Sequence, residues 1–207
     1  MRYRCRIPRL NVNETNIELS VVLPCLNEAD TLEACIRKAQ DALQAHGISG
    51  EVLVADNGST DGSPQIAERC GARLIRVPQH ADRQKNGYGN GLMTGIAAAR
   101  GRYILMGDSD GSYDFSEIPR FMDKLREGAD LVMGCRLPWG GGTILPGAMP
   151  WSHRWIGNPL FSLLVRRWFG VSIADVNCGM RACRKDWHAG IDQHCTGMEF
   201  AAEMIVK

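Results

Sequence analysis

The chain has 207 residues, 44% hydrophobic and 23% charged, a balance that suits one globular domain or one domain with an appendage. Its formal net charge of +1 supplies no general field for nucleic acid, so an anionic ligand has to be met by local groups. The eight cysteines are scattered through apolar stretches of a chain long enough to bury a core, which points to reduced thiols in a cytosolic setting rather than a disulfide scaffold.

Residues 1–16 carry Arg2, Arg4, Arg6 and Arg9 without the apolar run of a secretory signal, and are expected to form a mobile basic arm or a membrane-surface contact. "IELSVVLP" (17–24) is β-branched, apolar and stopped by Pro24, the pattern of a strand buried on both faces. A helix follows in "NEADTLEACIRKAQDAL", with Leu32, Cys35, Ile36, Ala39 and Leu43 on one face and Asn27 as its cap. "EVLVA" (51–55) reads as a strand and "DNGSTDGS" as a loop. "PQIAERC" is a helix with Pro64 at its first position and Gly71 just past its end, and "RLIRV" (73–77) a third strand.

Beyond "KNGYGNG", the stretch "LMTGIAAAR" is helical, "RYILM" a strand, "SEIPRFMDKLREG" a capped helix and "ADLVMG" a strand. Strands alternating with single helices call for right-handed crossovers, and so for an α/β fold with a mostly parallel, Rossmann-like sheet flanked by helices. Ligands of such sheets bind beyond the carboxyl ends of the strands, which brings together the loops at 24–28, 56–61, 108–114 and 134–136. The Gly- and Pro-rich residues 138–150 break the pattern as a mobile loop.

No uninterrupted apolar stretch reaches the ~20 residues that cross a bilayer. "NPLFSLLVRRWFG" (158–170) sets Leu160, Phe161, Leu163 and Leu164 beside Arg166, Arg167, Trp168 and Phe169. It reads either as a core-packed helix with a basic edge or as an interfacial helix resting on lipid. The final "GMEFAAEMIVK" stops in mid-helical pattern without a cap, so residues 17–207 are expected to be one domain truncated at its C-terminus.

The chemistry concentrates in "MGDSDGSYDF" (106–115). Period-two alternation projects Asp108 and Asp110 to one side, where two carboxylates repel unless a cation or hydrogen-bond donors compensate. Such oxygen ligands suit Mg2+ or Mn2+ shared with substrate phosphates, and the alternative is a solvated turn rich in Asp, Gly and Ser. An EF-hand is excluded, because Tyr113 and Pro119 stand where that loop needs Gly and Glu. Asp114 is either an orienting partner of the site or, the preferred reading, a helix cap before Ser116. "KNGYGNG" offers Lys85, Gly87 and two further glycines ahead of a helix start, where a diphosphate can approach backbone, or else simply a flexible loop. Cys178, Cys183, His188 and His194 do not match the usual zinc spacings.

Taken in order, "SVVLPCLNEADTLEACI", "VLVADNGSTDGS", "KNGYGNGLMTGIAAARGRYILMGDSDGSYDF", "ADLVMGCR" and "DVNCGMRACRKD" resemble the family 2 glycosyltransferases of the A-type fold, most closely the dolichyl-phosphate mannose synthase and polyprenyl-phosphate glucosyltransferase branch. The resemblance runs over roughly residues 17 to 207 and implies a nucleotide-diphosphate sugar as donor and Mg2+ or Mn2+ as cofactor. The leading expectation is an inverting hexosyltransferase that acts on a lipid phosphate at the cytoplasmic face of a membrane, with transfer to a glycan or protein hydroxyl, or a non-catalytic nucleotide-sugar-binding module, as the alternatives. By position it places Pro24, Asn27 and Glu28 around the nucleoside, Asp56 at the base, and the metal on Asp108 and Asp110. Arg136 falls near the sugar diphosphate, Arg181 near the acceptor, and Asp175 at the head of the last motif. Asn57 and Cys135 depart from the family pattern, which has a second aspartate and commonly a polar residue there. A lipid phosphate, with a second pKa near ~6, attacks unaided at neutral pH, whereas a sugar hydroxyl needs a general base, for which Glu199 and Asp175 are the candidates.

Overall fold

A computed structural model describes residues 17–82, 86–138, 157–171 and 173–207. The basic arm, Lys85 and almost all of the Gly- and Pro-rich loop lie outside the described residues.

The elements run β1 (Leu19–Cys25), α1 (Leu32–Ala45), β2 (Gly50–Asp56), α2 (Ser63–Arg69), β3 (Arg73–Arg76), α3 (Tyr88–Ala98) and β4 (Tyr103–Met106). They continue with α4 (Ile118–Arg126), β5 (Leu131–Met133), α5 (Asn158–Phe169), β6 (Arg181–Arg184), α6 (Lys185–Gly190) and α7 (Phe200–Val206). One six-stranded sheet in the order β3-β2-β1-β4-β6-β5 carries them. β1, β2, β3 and β4 pair in parallel, while β6 enters antiparallel between β4 and β5. The mostly parallel α/β sheet is as the alternation of elements requires, but β6 was not legible as a strand. It has only four residues, "RACR", with a charge at each end.

Two apolar layers sandwich the sheet. On one face Val21, Leu23, Val54 and Leu105 meet Leu32, Cys35, Ile36 and Ala39 of α1 together with Phe121, Met122 and Leu125 of α4. On the other face Val22, Ile104 and Met106 meet Leu92 and Ile96 of α3 and Phe200 and Met204 of α7. Each fully buried Leu or Ile adds about 1.5–3 kcal/mol, so the two layers dominate the stability. Gly95 lets α3 lie directly on β1, since a methyl there would stand 2.5 Å from Val22 Cγ1.

The strand order reverses between β1 and β4, and this switch point is where an open α/β sheet forms its ligand crevice. β1 runs one residue past Pro24, to Cys25. The proline is tolerated because its backbone faces the β4 side, where β1 and β4 are paired only as far as Val22 and Met106. There the Ser109 hydroxyl donates to Pro24 O at 2.7 Å. Because β6 is antiparallel, its first residue, Arg181, falls opposite Met106 and Met133 at the same carboxyl edge.

Among the described residues, Cys25, Cys35, Cys70, Cys178 and Cys183 are buried free thiols. Among those residues no helix is long and apolar enough to cross a membrane. α5 is not the core-packed helix that one reading of its sequence expects. Only Ser162 and Val165 are buried, while Leu160, Phe161, Leu163, Trp168 and Phe169 are exposed.

Candidate active site

A cleft opens at the switch point, lined by Pro24, Cys25, Leu26 and Glu28 after β1, by Asn57 after β2, by Asn86, Gly87, Tyr88 and Gly91 at the start of α3, and by Asp108, Ser109 and Asp110 after β4. Met198 stands at its rim, 71% exposed.

The two aspartates are aimed by what lies between and behind them. Ser109 is buried, its hydroxyl held by Pro24 O and its carbonyl accepting from the Thr31 hydroxyl at 2.7 Å. That pins the middle residue inward and leaves Asp108 and Asp110 to the cleft. Asp108 Oδ1 accepts from the Tyr88 hydroxyl at 2.7 Å, and Asp110 Oδ1 from Ser112 N at 2.8 Å. One oxygen of each carboxylate is therefore engaged, and the other has no hydrogen-bond donor among the described residues. Burial raises the pKa of Asp108, against the Tyr88 hydrogen bond and the charges of Arg181 and Arg136, and Asp110 adds to the rise. Burial and the Asp108 charge likewise push Tyr88 well above its ordinary value, so its hydroxyl remains a donor.

This donor set fits a hard divalent cation. Among the described residues no three His, Cys, Asp or Glu side chains gather into a cage, and Mg2+ or Mn2+ is commonly held by one or two carboxylates with substrate phosphates completing the shell.

Arg136 and Asp175 form a bidentate pair, with Nε to Oδ2 at 2.8 Å and Nη2 to Oδ1 at 2.9 Å, and Arg136 N also donates to Oδ2. Asp175 is fully buried, so the pair fixes Arg136 beside the aspartates and occupies the carboxylate. Asp175 is thus an anchor rather than a base with a vacant oxygen. Arg181 is 2% exposed, and its guanidinium donates to the carbonyls of Cys178, Val176 and Ala201. Far from reaching an acceptor, it ties the last motif to α7, and its charge favours the ionised form of Asp108. Burial lowers its pKa.

Asn27 does not cap α1, whose N-cap residue is Thr31. It adopts φ 59°, a left-handed conformation that asparagine tolerates, and its Oδ1 accepts from Thr60 N at 2.8 Å. It therefore clamps the loop after β2 without lining the cleft. Glu28 does line it, its N–H donating to the Ser63 hydroxyl at 3.0 Å. Asp56 is 1% exposed, with Oδ1 on Ser59 N and Oδ2 on Arg76 Nη1. It sits below the cleft, and its neighbour Asn57 provides the lining. Asn57 suits that position better than an aspartate, because its amide donates to Asn86 O at 2.7 Å, where a carboxylate would repel.

The glycines of "KNGYGNG" divide. Gly87, the N-cap of α3, borders the cleft, yet a methyl on it would meet Thr196 O at 2.6 Å, and one on Gly89 would meet Cys195 O at 2.5 Å. Residues 195–197 lie against this helix start, and Thr196 O takes the Asn90 N–H. Only Gly91 faces open cleft, with Pro24 Cβ 3.7 Å away. Glu199 is exposed at the start of α7 and accepts from Gly197 N, outside the cleft lining. Asp114 is a cap, its Oδ1 accepting from Ser116 N at 3.2 Å.

Sequence reasoning passed over Tyr88, Tyr113, Ser109 and Met198. Tyr113 holds the last motif to the site, its hydroxyl accepting from Gly179 N at 2.7 Å. The available signal was a tyrosine between glycines and another beside the aspartates, with no partner nameable from sequence.

Known proteins are similar to this chain in sequence and in fold. The chain is 42% identical over 190 residues to the low-salt glycan biosynthesis hexosyltransferase of Haloferax volcanii, covering 91% of this chain and 44% of that protein. It is 28% identical over 191 residues to the dolichyl-phosphate hexose transferase of the same organism, covering 92% and 76%. The chain thus spans less than half the length of the first relative. Among solved structures, glucosyl-3-phosphoglycerate synthase from Mycobacterium tuberculosis, in complex with Mn2+, UDP and glucosyl-3-phosphoglycerate, superposes with a TM-score of 0.57 at 25% identity, covering 82% of this chain and 57% of that one. Mannosyl-3-phosphoglycerate synthase from Rubrobacter xylanophilus, at 22% identity and a TM-score of 0.61, shares the fold over 83% and 55%. A family model described as "Glycosyl transferase family 2" matches residues 20–188, and the chain belongs to that family.

Proposed function

We propose that the chain is the donor-binding and catalytic part of an inverting hexosyltransferase that moves a hexose from a UDP- or GDP-sugar to polyprenyl phosphate. The observation that carries this reading is the pair Asp108 and Asp110, each with one oxygen engaged and one directed to the cleft at the sheet's switch point. The nucleoside lies against Pro24, Leu26 and Glu28, with Asp56 steadying the loop beneath the base. The diphosphate passes the open side of Gly91, on the side of the aspartates where Arg136 is held. A divalent cation, Mg2+ or Mn2+, held by Asp108 and Asp110 would supply positive charge to the leaving nucleoside diphosphate.

The acceptor follows from which carboxylates are unoccupied. Asp175 is taken by Arg136, and Glu199 lies outside the cleft, so neither is placed as a general base for a hydroxyl. An acceptor that is already ionised, a lipid phosphate, needs none. The exposed apolar face of α5, with Arg166 and Arg167 in its last turn, supports peripheral contact with an anionic cytoplasmic leaflet.

The test is transfer from UDP- and GDP-hexoses to polyprenyl phosphate by the full-length protein with Mg2+ or Mn2+, alongside Asp110→Asn. A lipid-linked sugar from the wild type and none from the variant is the expected result. Full activity of the variant removes the metal assignment, and transfer only to soluble hydroxyl acceptors removes the lipid one.

A further inference from the structure

The Tyr88 hydroxyl is the only side-chain donor to Asp108 among the described residues, at 2.7 Å from Oδ1. The tyrosine is the first residue of α3, on the sheet face opposite α1 and α4. Its ring is half-buried against the Leu92, Ile96 and Phe200 layer, so the hydroxyl is delivered from a fixed support. On the other side of the carboxylate, the Gly179 backbone is so close that a methyl there would stand 3.0 Å from Asp108 Oδ2 and 2.9 Å from the Tyr113 hydroxyl. Asp108 is thereby held between two elements that are far apart in sequence, with Tyr88 occupying Oδ1 and Oδ2 left for a ligand.

We infer that Tyr88 is a positioning residue for metal binding. By donating to Oδ1 it fixes the Asp108 rotamer so that Oδ2 and the Asp110 carboxylate converge on one divalent cation, an assignment that rests on the metal reading of this pair. A carboxylate without that bond turns freely about its terminal torsion, whose wells are broad, and meets a cation only part of the time. The hydroxyl acts through Asp108 and needs no contact with the donor.

Tyr88→Phe removes the hydroxyl and keeps the ring. Mn2+ affinity is measured by electron paramagnetic resonance in the presence of UDP for wild type, Tyr88→Phe, Asp108→Asn, Asp110→Asn and the Tyr88→Phe/Asp108→Asn double variant, with melting temperature as the record of folding. Tyr88→Phe is expected to weaken Mn2+ binding about 10-fold or more, as loss of a partner behind a metal ligand typically does. It should add nothing in the Asp108→Asn background, and UDP binding without metal should be unchanged. Wild-type Mn2+ affinity in Tyr88→Phe while Asp110→Asn loses binding overturns the inference. So does an equal loss of metal-free UDP binding, which would make Tyr88 a donor contact, and so does an additive effect in the double variant. If Asp110→Asn and Asp108→Asn both keep wild-type Mn2+ binding, the metal reading itself fails, which is a separate result.

Discussion

Replacing Gly89 with alanine separates two explanations for the glycines ahead of α3, close approach of a diphosphate and close approach of the chain itself. A methyl at Gly89 would stand 2.5 Å from Cys195 O, 2.8 Å from Phe200 Cβ and 2.9 Å from Gly197 O. Two of the three atoms are backbone oxygens, which cannot rotate aside, so residues 195–197 would have to lift from the helix and take with them the Thr196 O that accepts from Asn90 N at 2.9 Å. Overpacking of this kind costs about 1–3 kcal/mol and loss of the hydrogen bond about 1 kcal/mol, against about 0.5–1 kcal/mol returned by alanine's helix preference. The net loss of about 1–3 kcal/mol lowers the melting temperature by roughly 3–10 °C in a domain of this size. Gly91→Ala is the contrast. Its methyl would meet only Pro24 Cβ, at 3.7 Å, so stability should hold or rise by up to about 1 kcal/mol while the added methyl narrows the cleft and weakens nucleoside diphosphate binding. Thermal unfolding followed by circular dichroism and calorimetric titration with UDP and GDP read the two effects. Wild-type stability in Gly89→Ala, or wild-type nucleotide affinity in Gly91→Ala, refutes the division.

Arg136→Ala strips Asp175 of its bidentate partner inside the core, and should cost about 3 kcal/mol, the low end for a broken buried pair because Arg136 keeps 28% of its side chain in solvent. Urea unfolding measures it, and a loss below about 1 kcal/mol would show that the pair is not a structural anchor. Glu203 titrates near 2 instead of 4.5, since the amides of Cys195 and His194 and the Lys207 ammonium together outweigh burial, which pulls the other way. Its contribution is therefore complete above about pH 5 and fades as pH falls from 4.5 towards 2. The stability gap between wild type and Glu203→Gln should close over that window, and a gap independent of pH would refute it. Leu163→Ser with Trp168→Ser, at positions 59% and 70% exposed, should leave folding intact and lower cosedimentation with anionic vesicles roughly 10-fold, from about 1.4 kcal/mol of lost apolar insertion. Unchanged vesicle binding would remove α5 from the membrane contact.

Most of the parallel part of the sheet was legible because β1, β2 and β4 are apolar runs that the fold buries, with helices between the strands, while β3 is a short, partly exposed strand at the sheet edge. β6 was not, since an antiparallel insertion of four residues is decided by its pairing with β4 and β5 rather than by local pattern. The onset of α3 was hidden for a related reason. Glycines that signal a loop in isolation are here required by residues 195–197, more than a hundred positions away. At the site, Asp108 and Asp110 could be picked out from spacing and from the end of a strand. The fates of Asp56, Asp175 and Arg181 could not, because a charged residue in a motif looks the same whether it faces a ligand or is consumed by Arg76, Arg136 or three buried carbonyls.

The most direct test of the central claim is a crystal structure of the protein grown with Mn2+ and a UDP- or GDP-sugar, with data collected for Mn anomalous scattering. One anomalous peak is expected in direct contact with Asp108 Oδ2 and an Asp110 carboxylate oxygen, with diphosphate oxygens on the same ion and the nucleoside against Pro24 and Glu28. A nucleotide bound away from the cleft between β1 and β4, or a manganese ion that touches neither aspartate, would contradict it.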